Sequence, residues 1–401
     1  MAGPEAGHAF PALGLAARAQ AHGHPVTVYT GTRWAAPARE QGLHVAELPG
    51  LAVRDDEDDG DAGAKLSTRA ARMAVELAPL LAADGTELVV GDVITLAGGW
   101  AADLLGLPWI ELSPHPLYAP SKGLPPVGTG LAAGTGLRGR ARDTVLRAMT
   151  ARALARGRAQ RAAARAAIGL TGAGEPWARF IATLPGLEPY RPDWPVRTHL
   201  IGPLFFEPTR EVLPVPDGDG PLIAVCPSTA ETGSAGMGEQ TLAALARLGR
   251  RRPLRVVYSA LTPPAGDLPP RTTAGLGRQD RLLAQADAVV CGGGHGLLAK
   301  ALSAPSGAGT GRPVVMVPGG GDQWELACRV ERLGAGLLVR PGADSGGESV
   351  EEGIATAVAA VLDDPRYRRA AGRIAATSAQ TVDPMTVIDA MPAAGRTALC
   401  D

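Results

Sequence analysis

The chain has few cysteines and no long apolar run, and these absences exclude several classes of protein. It contains 4 cysteines in 401 residues, none with C-x-x-C or metal-ligand spacing, and Cys226 and Cys291 lie inside apolar runs. We therefore expect reduced thiols that act as small buried apolar side chains. No apolar stretch approaches the roughly 20 residues that cross a bilayer, and the first residues do not form a secretion signal, so a cytoplasmic protein without a transmembrane segment is expected.

The chain also lacks a strong charge of either sign. Its formal net charge is -1, which gives no overall attraction to nucleic acid. The length is typical of two domains, and the 53 glycines and 35 prolines fall mainly between short apolar runs. Composition therefore favours a cytoplasmic α/β protein that does not bind nucleic acid through its overall charge.

Two glycine-rich loops in the second half follow predicted buried strands. Ala288 to Cys291 is an apolar run that leads into Gly292 to Gly294 and a helix from His295, and Val314 to Val317 leads into a second glycine triplet and a helix. Glycine loops at the carboxyl ends of neighbouring parallel strands let the backbone approach a phosphate closely. This pattern predicts a bound nucleotide or its diphosphate.

The first half repeats the alternation of helix and strand. We predict a helix from Phe10 to Ala21, a strand from Pro25 to Tyr29 and a strand from Leu88 to Val90. A long helix rich in alanine and arginine is predicted from about Arg138 to Ile168. The proline-rich stretch from Phe205 to Pro221 has the composition of a linker.

Five segments of the chain together carry a resemblance to a known family: GHAFPALGLAARAQAHGHPVTVYTG, GDVITLAGGWAADLLGLPWIELSP, PDWPVRTHLIGPL, GRQDRLLAQADAVVCGGGHG and DQWELACRV. In these segments the chain resembles the nucleotide-sugar-dependent glycosyltransferases of GT-B fold, especially the actinobacterial natural-product and lipid-type enzymes. The resemblance implies an α/β protein with two Rossmann-like domains facing each other across a cleft. It places an acceptor-binding domain at 1–204, a linker at 205–220, a donor-binding domain at 221–377 and a tail at 378–401.

The resemblance implies an inverting transfer that needs no metal and no cofactor beyond the UDP- or dTDP-sugar co-substrate. His8 matches the catalytic base and Asp92 the carboxylate that orients it. We expect a helix N-terminus behind His8 to keep the imidazole neutral. On pattern alone, however, an ordinary loop residue is favoured for His8, and a cap at a strand end explains Asp92 as well as a catalytic role does.

The resemblance also implies donor contacts in the second half. Asp322 and Gln323 match the pair that contacts the sugar hydroxyls, while backbone at Arg278 and Gln279 matches the contact to the base. The other residues expected to bind the sugar donor would face its diphosphate. They are Ser228, Thr229, Gly293, Gly294 and His295.

The other histidines and charge clusters have ordinary explanations. His115, between two prolines, is either an acceptor-binding residue or part of a strand-end loop, and the second is slightly favoured. His22, His24 and His44 are expected to face solvent. No metal site is expected from them, because no carboxylate or cysteine has suitable spacing in the sequence. The acidic cluster of Asp55, Asp56, Glu57, Asp58, Asp59 and Asp61 lacks calcium-loop spacing and is expected to be a solvated loop. The arginine-rich helix either rests on an anionic membrane or borders the acceptor cleft in water, and we favour the second.

The chain departs from the family pattern at several positions. The strand that precedes the Gly7-His8 turn in relatives is missing, so we expect two neighbouring strands without partners and a natural start further upstream or a weakened first domain. Relatives also have His at Gly292, Ser or Thr near Leu297 and an acid at Lys300, and we expect His295 and Lys300 to supply compensating positive groups. These departures keep open a non-catalytic binding protein or a nucleotide-sugar epimerase as alternatives to antibiotic or other secondary-metabolite glycosyl transfer.

Overall fold

The computed structural model describes residues 1–52, 54, 60–229, 236–262, 264, 268–305, 310–340 and 349–391. Within them, short parallel strands alternate with helices along the whole chain. The strands are β1 (Thr27–Thr30), β2 (His44–Glu47), β3 (Val89–Asp92), β4 (Trp109–Ser113), β5 (Ala178–Ile181), β6 (Thr198–Leu200), β7 (Leu222–Cys226), β8 (Arg255–Ser259), β9 (Thr272–Gly275), β10 (Ala288–Cys291), β11 (Val314–Met316) and β12 (Gly336–Leu338).

The strands of the first half form two parallel ladders, β1-β2 and β3-β4-β5-β6, and the first residues of the chain lie between them. Ala2 N donates to Tyr29 O at 3.1 Å, and Asp92 N donates to Met1 O at 3.0 Å. The side chain of Thr30 also donates to Gly3 O. The expectation that both neighbouring strands lack a partner is therefore wrong, because three residues bridge them where a full strand was expected.

The second half contains one six-stranded parallel sheet with the order β12-β11-β10-β7-β8-β9. This is the doubly wound arrangement, in which the strand order reverses between β7 and β10. Both strands are buried along their whole length, which explains their continuous apolar sequence. Ligands bind such sheets at the carboxyl edge beside the reversal, and the glycine loop after β10 begins there.

Helices cover the sheets of both halves. The apolar core lies in several clusters between helices and sheets; one of them packs α3 and α4 around Leu77 and Trp100. The helices are α1 (Ala6–Ala21), α2 (Ala35–Glu40), α3 (Ala62–Ala83), α4 (Ala97–Leu105), α5 (Gly136–Ala167), α6 (Met237–Gly249), α7 (Gln279–Gln285), α8 (His295–Ser303), α9 (Gln323–Arg332), α10 (Val350–Asp363), α11 (Pro365–Ala376) and α12 (Pro384–Asp389).

The end of the described chain returns to the first half. Residues 201–221 contain neither helix nor strand and lead from β6 to β7. At the other end, Met385 and Val387 of α12 are buried in the same cluster as Leu15 of α1 and Ile201. Most of the predicted tail at 378–401 is therefore an ordered segment that packs on the first sheet, and 392–401 lies outside the described residues.

Burial confirms the prediction for three of the cysteines. Cys226, Cys291 and Cys328 are free and buried, and burial raises the pKa of each thiol, to about 12 for Cys291. Cys400 lies outside the described residues. Among the helices that the structure describes, none has the length and apolar character to cross a membrane.

Candidate functional site

His8 lies inside α1 and not in a turn before it. Glu5 is the N-cap with an extended backbone, and the helix begins at Ala6, so His8 is in the first helical turn. The prediction that the helix starts at Phe10 is wrong, because the first-turn N–H groups need no partner within the helix and Gly7 is tolerated there. This position fixes the imidazole at the end of α1 that faces the cleft.

His8 and Asp92 form a buried hydrogen-bonded pair. His8 Nδ1 lies 2.7 Å from Asp92 Oδ1, and the two side chains are 19% and 1% exposed. The other carboxylate oxygen of Asp92 accepts hydrogen bonds from Thr95 N and Thr95 Oγ1, at 3.2 and 2.9 Å. Because an ionised carboxylate can only accept, the proton of a neutral ring lies on Nδ1, and Nε2 is left free to accept another.

The pKa of His8 is raised above its ordinary value. Burial lowers it, but the hydrogen bond that the ring donates to Asp92 and the charges of Asp92, Asp322 and Glu5 together outweigh burial. The expectation that the helix N-terminus keeps the ring neutral is therefore wrong in direction, since the carboxylates dominate the field at the ring. The neutral form of His8 that can accept a proton is populated at higher pH than for an ordinary histidine.

Aromatic rings link His8 to the second half of the chain. The ring of His115 is 6.3 Å from that of His8 in an edge-on arrangement and stacks on Tyr118 at 4.2 Å. Tyr118 Oη donates to Asp322 Oδ2 at 2.8 Å. The structure thus places His115 beside the candidate base and brings Asp322 to the same cleft from the opposite side.

The glycine loops of the second half meet at Gln323. Its Nε2 donates to Ser228 Oγ at 3.0 Å, and its Oε1 accepts from Gly319 N at 2.9 Å. Gly293 has φ +85°, which favours glycine, and a side chain there would press on the Gln323 backbone. Ser228, Gly293 and Gln323 are therefore brought together, while Thr229 lies exposed beside them.

Comparisons with known proteins agree with this fold. Residues 266–393 match the C-terminal domain of the erythromycin biosynthesis protein CIII-like family. The chain is 27% identical to 4'-demethylrebeccamycin synthase of Lentzea aerocolonigenes, over 92% of this chain and 93% of that protein. The chain is thus similar in sequence to these biosynthetic proteins, and it has the fold of the GT-B glycosyltransferases.

Two solved structures show the shared GT-B fold. The glycotransferase of kitacinnamycin has a TM-score of 0.71 and 20% identity, with 96% of each chain covered. The glycosyltransferase SsfS6 of Streptomyces sp. SF2575, solved with thymidine diphosphate, has a TM-score of 0.62 and 20% identity, covering 97% of this chain and 98% of that one.

Within this fold, His295 faces the opposite lobe. Its Nε2 is 2.8 Å from Thr183 Oγ1, and the backbone of Pro114 also hydrogen-bonds the ring. Burial, together with the charges of His115 and Arg329, lowers the pKa of His295 to about 3. The expectation that His295 supplies a positive group is wrong, because the buried ring stays neutral.

Lys300 likewise has a partner within the protein. Its Nζ donates to Glu207 Oε1 at 2.7 Å and to Gln279 Oε1 at 3.1 Å, and the lysine side chain is 9% exposed. The expected compensating charge is thus cancelled by Glu207, a linker carboxylate that no local pattern distinguished. The backbone N–H groups of Arg278 and Gln279 are also used, by Glu211 O and Glu207 Oε2.

The remaining histidines lie away from the cleft. His22 and His24 both contact Asp389, with nitrogen to oxygen distances of 2.9 and 3.2 Å. This carboxylate comes from α12 at the far end of the chain, which spacing in the sequence could not show. His44 is exposed and bonds to Thr27.

The acidic cluster contributes a helix cap. Asp61 is the N-cap of α3 and accepts from Gly63 N and Ala64 N, so it is not part of a solvated loop. The other members, Asp55, Asp56, Glu57, Asp58 and Asp59, lie outside the described residues.

Two residues that contact the opposite lobe, Tyr118 and Thr183, were not predicted from the sequence. Tyr118 was detectable in principle, since an aromatic residue soon after a strand that ends in a proline-rich loop is a typical binding residue. Thr183 had no comparable signal.

Proposed function

We propose that the protein is an inverting glycosyltransferase of the hexosyltransferase type. It moves a sugar from a UDP- or dTDP-linked donor to a hydroxyl of a hydrophobic small-molecule acceptor. The observation that supports this most directly is the buried His8–Asp92 pair, which faces Asp322 and the glycine loops across the cleft. The nucleotide choice is supported by the structural relative that was solved with thymidine diphosphate.

The proposed step is a single displacement at the anomeric carbon. The acceptor hydroxyl loses its proton to Nε2 of His8, its oxygen forms a bond to the anomeric carbon, and the bond from that carbon to the diphosphate oxygen breaks. Asp92 holds the Nδ1 proton and stabilises the imidazolium that forms. Attack from the side opposite the leaving group inverts the configuration.

The leaving diphosphate would be met by backbone at the start of α8. Gly294 is the N-cap residue of this helix, and a side chain built there meets nothing, so the space in front of the helix is open. N–H groups and the positive end of the helix dipole at such a site stabilise developing negative charge. The scheme routes no step through a metal.

Replacing His8 tests the proposal. We expect His8→Ala to abolish sugar transfer while the Kd for UDP or dTDP stays within about twofold, because the ring would accept the proton without holding the nucleotide. His44→Ala, an exposed histidine outside the cleft, is the matched control and should leave both quantities unchanged.

Two outcomes would contradict the proposal. Equal loss of transfer and nucleotide affinity in His8→Ala would show that the ring acts in binding. A wild-type chain that binds dTDP yet transfers no sugar from a panel of donors to a panel of aglycones would favour a non-catalytic role.

A further inference from the structure

A large cavity lies beside the catalytic rings, between the two lobes. It has a volume of about 1100 Å³ and is enclosed by the loop at 117–134, α5, the segment at 186–192 and α9. Tyr118 forms part of its wall and stacks on His115, which contacts His8. A molecule in this cavity would therefore approach the candidate base.

The cavity is strongly basic although the chain as a whole is nearly neutral. Seven lysine or arginine side chains line it, against three carboxylates. The cations are Lys122, Arg140, Arg147, Arg158, Arg191, Arg329 and Arg332, and the carboxylates are Asp143, Glu188 and Glu325. A cleft lined by one sign of charge attracts ligands of the opposite sign.

Three buried polar side chains in the wall each leave one atom without a partner. They are Glu188, Arg191 and Arg329, whose side chains are 2%, 1% and 8% exposed. The unpartnered atoms are Glu188 Oε1, Arg191 Nε and Arg329 Nη1. Glu188 Oε1 and Arg191 Nε are 3.8 Å apart, which is too long for a hydrogen bond.

Other contacts hold these three side chains in place. The Nη atoms of Arg191 donate to the carbonyls of Ala119 and Leu117, and the second oxygen of Glu188 accepts from Leu117 N. Arg329 Nε donates to Glu325 at 3.1 Å. Buried polar atoms are nearly always paired, so fixed donors that remain free mark a place where a ligand completes the pairing.

We propose that the cavity binds a hydrophobic acceptor with a carboxylate group, which accepts hydrogen bonds from Arg191 and Arg329. That the bound molecule is an acceptor rests on the proposed glycosyl transfer, whereas the binding site itself does not depend on that function. Arg191 belongs to the first lobe and Arg329 to the second, so a carboxylate that binds both side chains would bridge the two lobes. A singly charged carboxylate suits the site better than a phosphate dianion, because the carboxyl group of Glu188 also lies in the site.

Glu188 is compatible with such a ligand. Burial raises the pKa of its carboxyl group to about 7, against the opposing effects of the Leu117 N–H and the charges of Arg191 and Arg329. Near neutral pH a large fraction of Glu188 is therefore protonated and does not repel a carboxylate.

The test compares an acid with its own ester. The probes are 3-hydroxy-2-naphthoic acid and its methyl ester, titrated by calorimetry into the full chain saturated with dTDP or UDP. The variant is Arg329→Gln, whose amide can still donate to Glu325, with Arg329→Lys as a variant that keeps the charge. Arg152→Gln is the matched control, since Arg152 is an exposed arginine of α5 outside the cavity lining.

We expect wild type to bind the acid at least 10-fold more tightly than the ester. Arg329→Gln should lose that preference while its affinity for the ester and for the nucleotide changes less than about twofold, and Arg329→Lys should keep part of it. Arg152→Gln should match wild type.

Three results would overturn the inference: equal binding of acid and ester by wild type, a preference that survives in Arg329→Gln, and a parallel loss of nucleotide affinity in that variant. Because binding is measured without turnover, acid-selective binding by a chain that transfers no sugar would support the site and refute only the proposed function.

Discussion

Replacing Asp92 by Asn removes one negative charge from the centre of the candidate site and little else. The side chain is 1% exposed and accepts hydrogen bonds from His8 and Thr95. An asparagine has nearly the same shape, and its carbonyl oxygen can still accept from Thr95. The fold should therefore be retained while the environment of His8 changes.

The expected loss of transfer follows from two effects. A hydrogen bond to a charged group contributes about 1.5 to 3 kcal/mol, which corresponds to a factor of about 10 to 150 in rate. In addition, the asparagine NH₂ group can donate to His8 Nδ1, which moves the ring proton to Nε2 and blocks the atom that must accept it. A comparable Asp→Asn change in a Ser-His-Asp hydrolase lowers kcat by about 10⁴-fold, so we expect a fall of about 10² to 10⁴ here.

The midpoint of the pH dependence of transfer should move in a direction that a simple loss of structure would not produce. The base must be neutral, and the pKa of His8 is raised, so transfer by wild type should increase with pH through a midpoint above 6.5. Without the charge of Asp92, burial is the largest remaining influence and it lowers the pKa. The midpoint of Asp92→Asn should therefore move to lower pH.

The assay is kcat/KM for sugar transfer measured from about pH 5 to about pH 9. Asp84→Asn is the matched control, because Asp84 accepts a hydrogen bond from Tyr29 outside the cleft. It should keep the wild-type midpoint and rate. A midpoint for Asp92→Asn that equals or exceeds that of wild type would refute the assignment of Asp92 as the group that raises the His8 pKa.

Two further predictions concern stability, and urea unfolding measures both. Lys300→Met leaves Glu207 buried without its cation and should lower the free energy of unfolding by about 3 to 5 kcal/mol. The double variant Lys300→Met/Glu207→Gln should recover most of this loss. If the effects of the two substitutions on the free energy of unfolding simply add, the pairing is contradicted. Gly14→Ala places a methyl group 2.7 Å from Phe205 O and should destabilise the contact of α1 with the linker by about 1 to 3 kcal/mol. The control is Gly7→Ala in the same helix, which should be tolerated because a methyl group there meets nothing.

The elements that could be predicted from sequence are those whose pattern is local. Ala288–Cys291 has the predicted bounds, because a strand buried on both faces is a continuous apolar run, and this run ends at a glycine. The start of α1 was misplaced by four residues. Its first turn has no apolar periodicity, so the pattern begins only at Phe10.

The contacts that define the site were not predictable, since they join residues far apart in the chain. Glu207 reaches Lys300, Asp389 reaches His22, and Tyr118 reaches Asp322, and nothing within a short window indicates any of these pairs. Sequence identifies the types of side chain that a site needs. Only the fold determines which of them are already occupied by a partner.

That distinction changes how the leaving group must be stabilised. Both side-chain cations that the sequence suggested for this task are unavailable, because His295 is buried and neutral and Lys300 is bonded to Glu207. The amides and the helix dipole at Gly294 remain, and they carry no titratable charge. If the proposed mechanism holds, departure of the diphosphate should thus add no side-chain ionisation to the rate profile, and with an uncharged acceptor the pH dependence of transfer near neutrality should report His8.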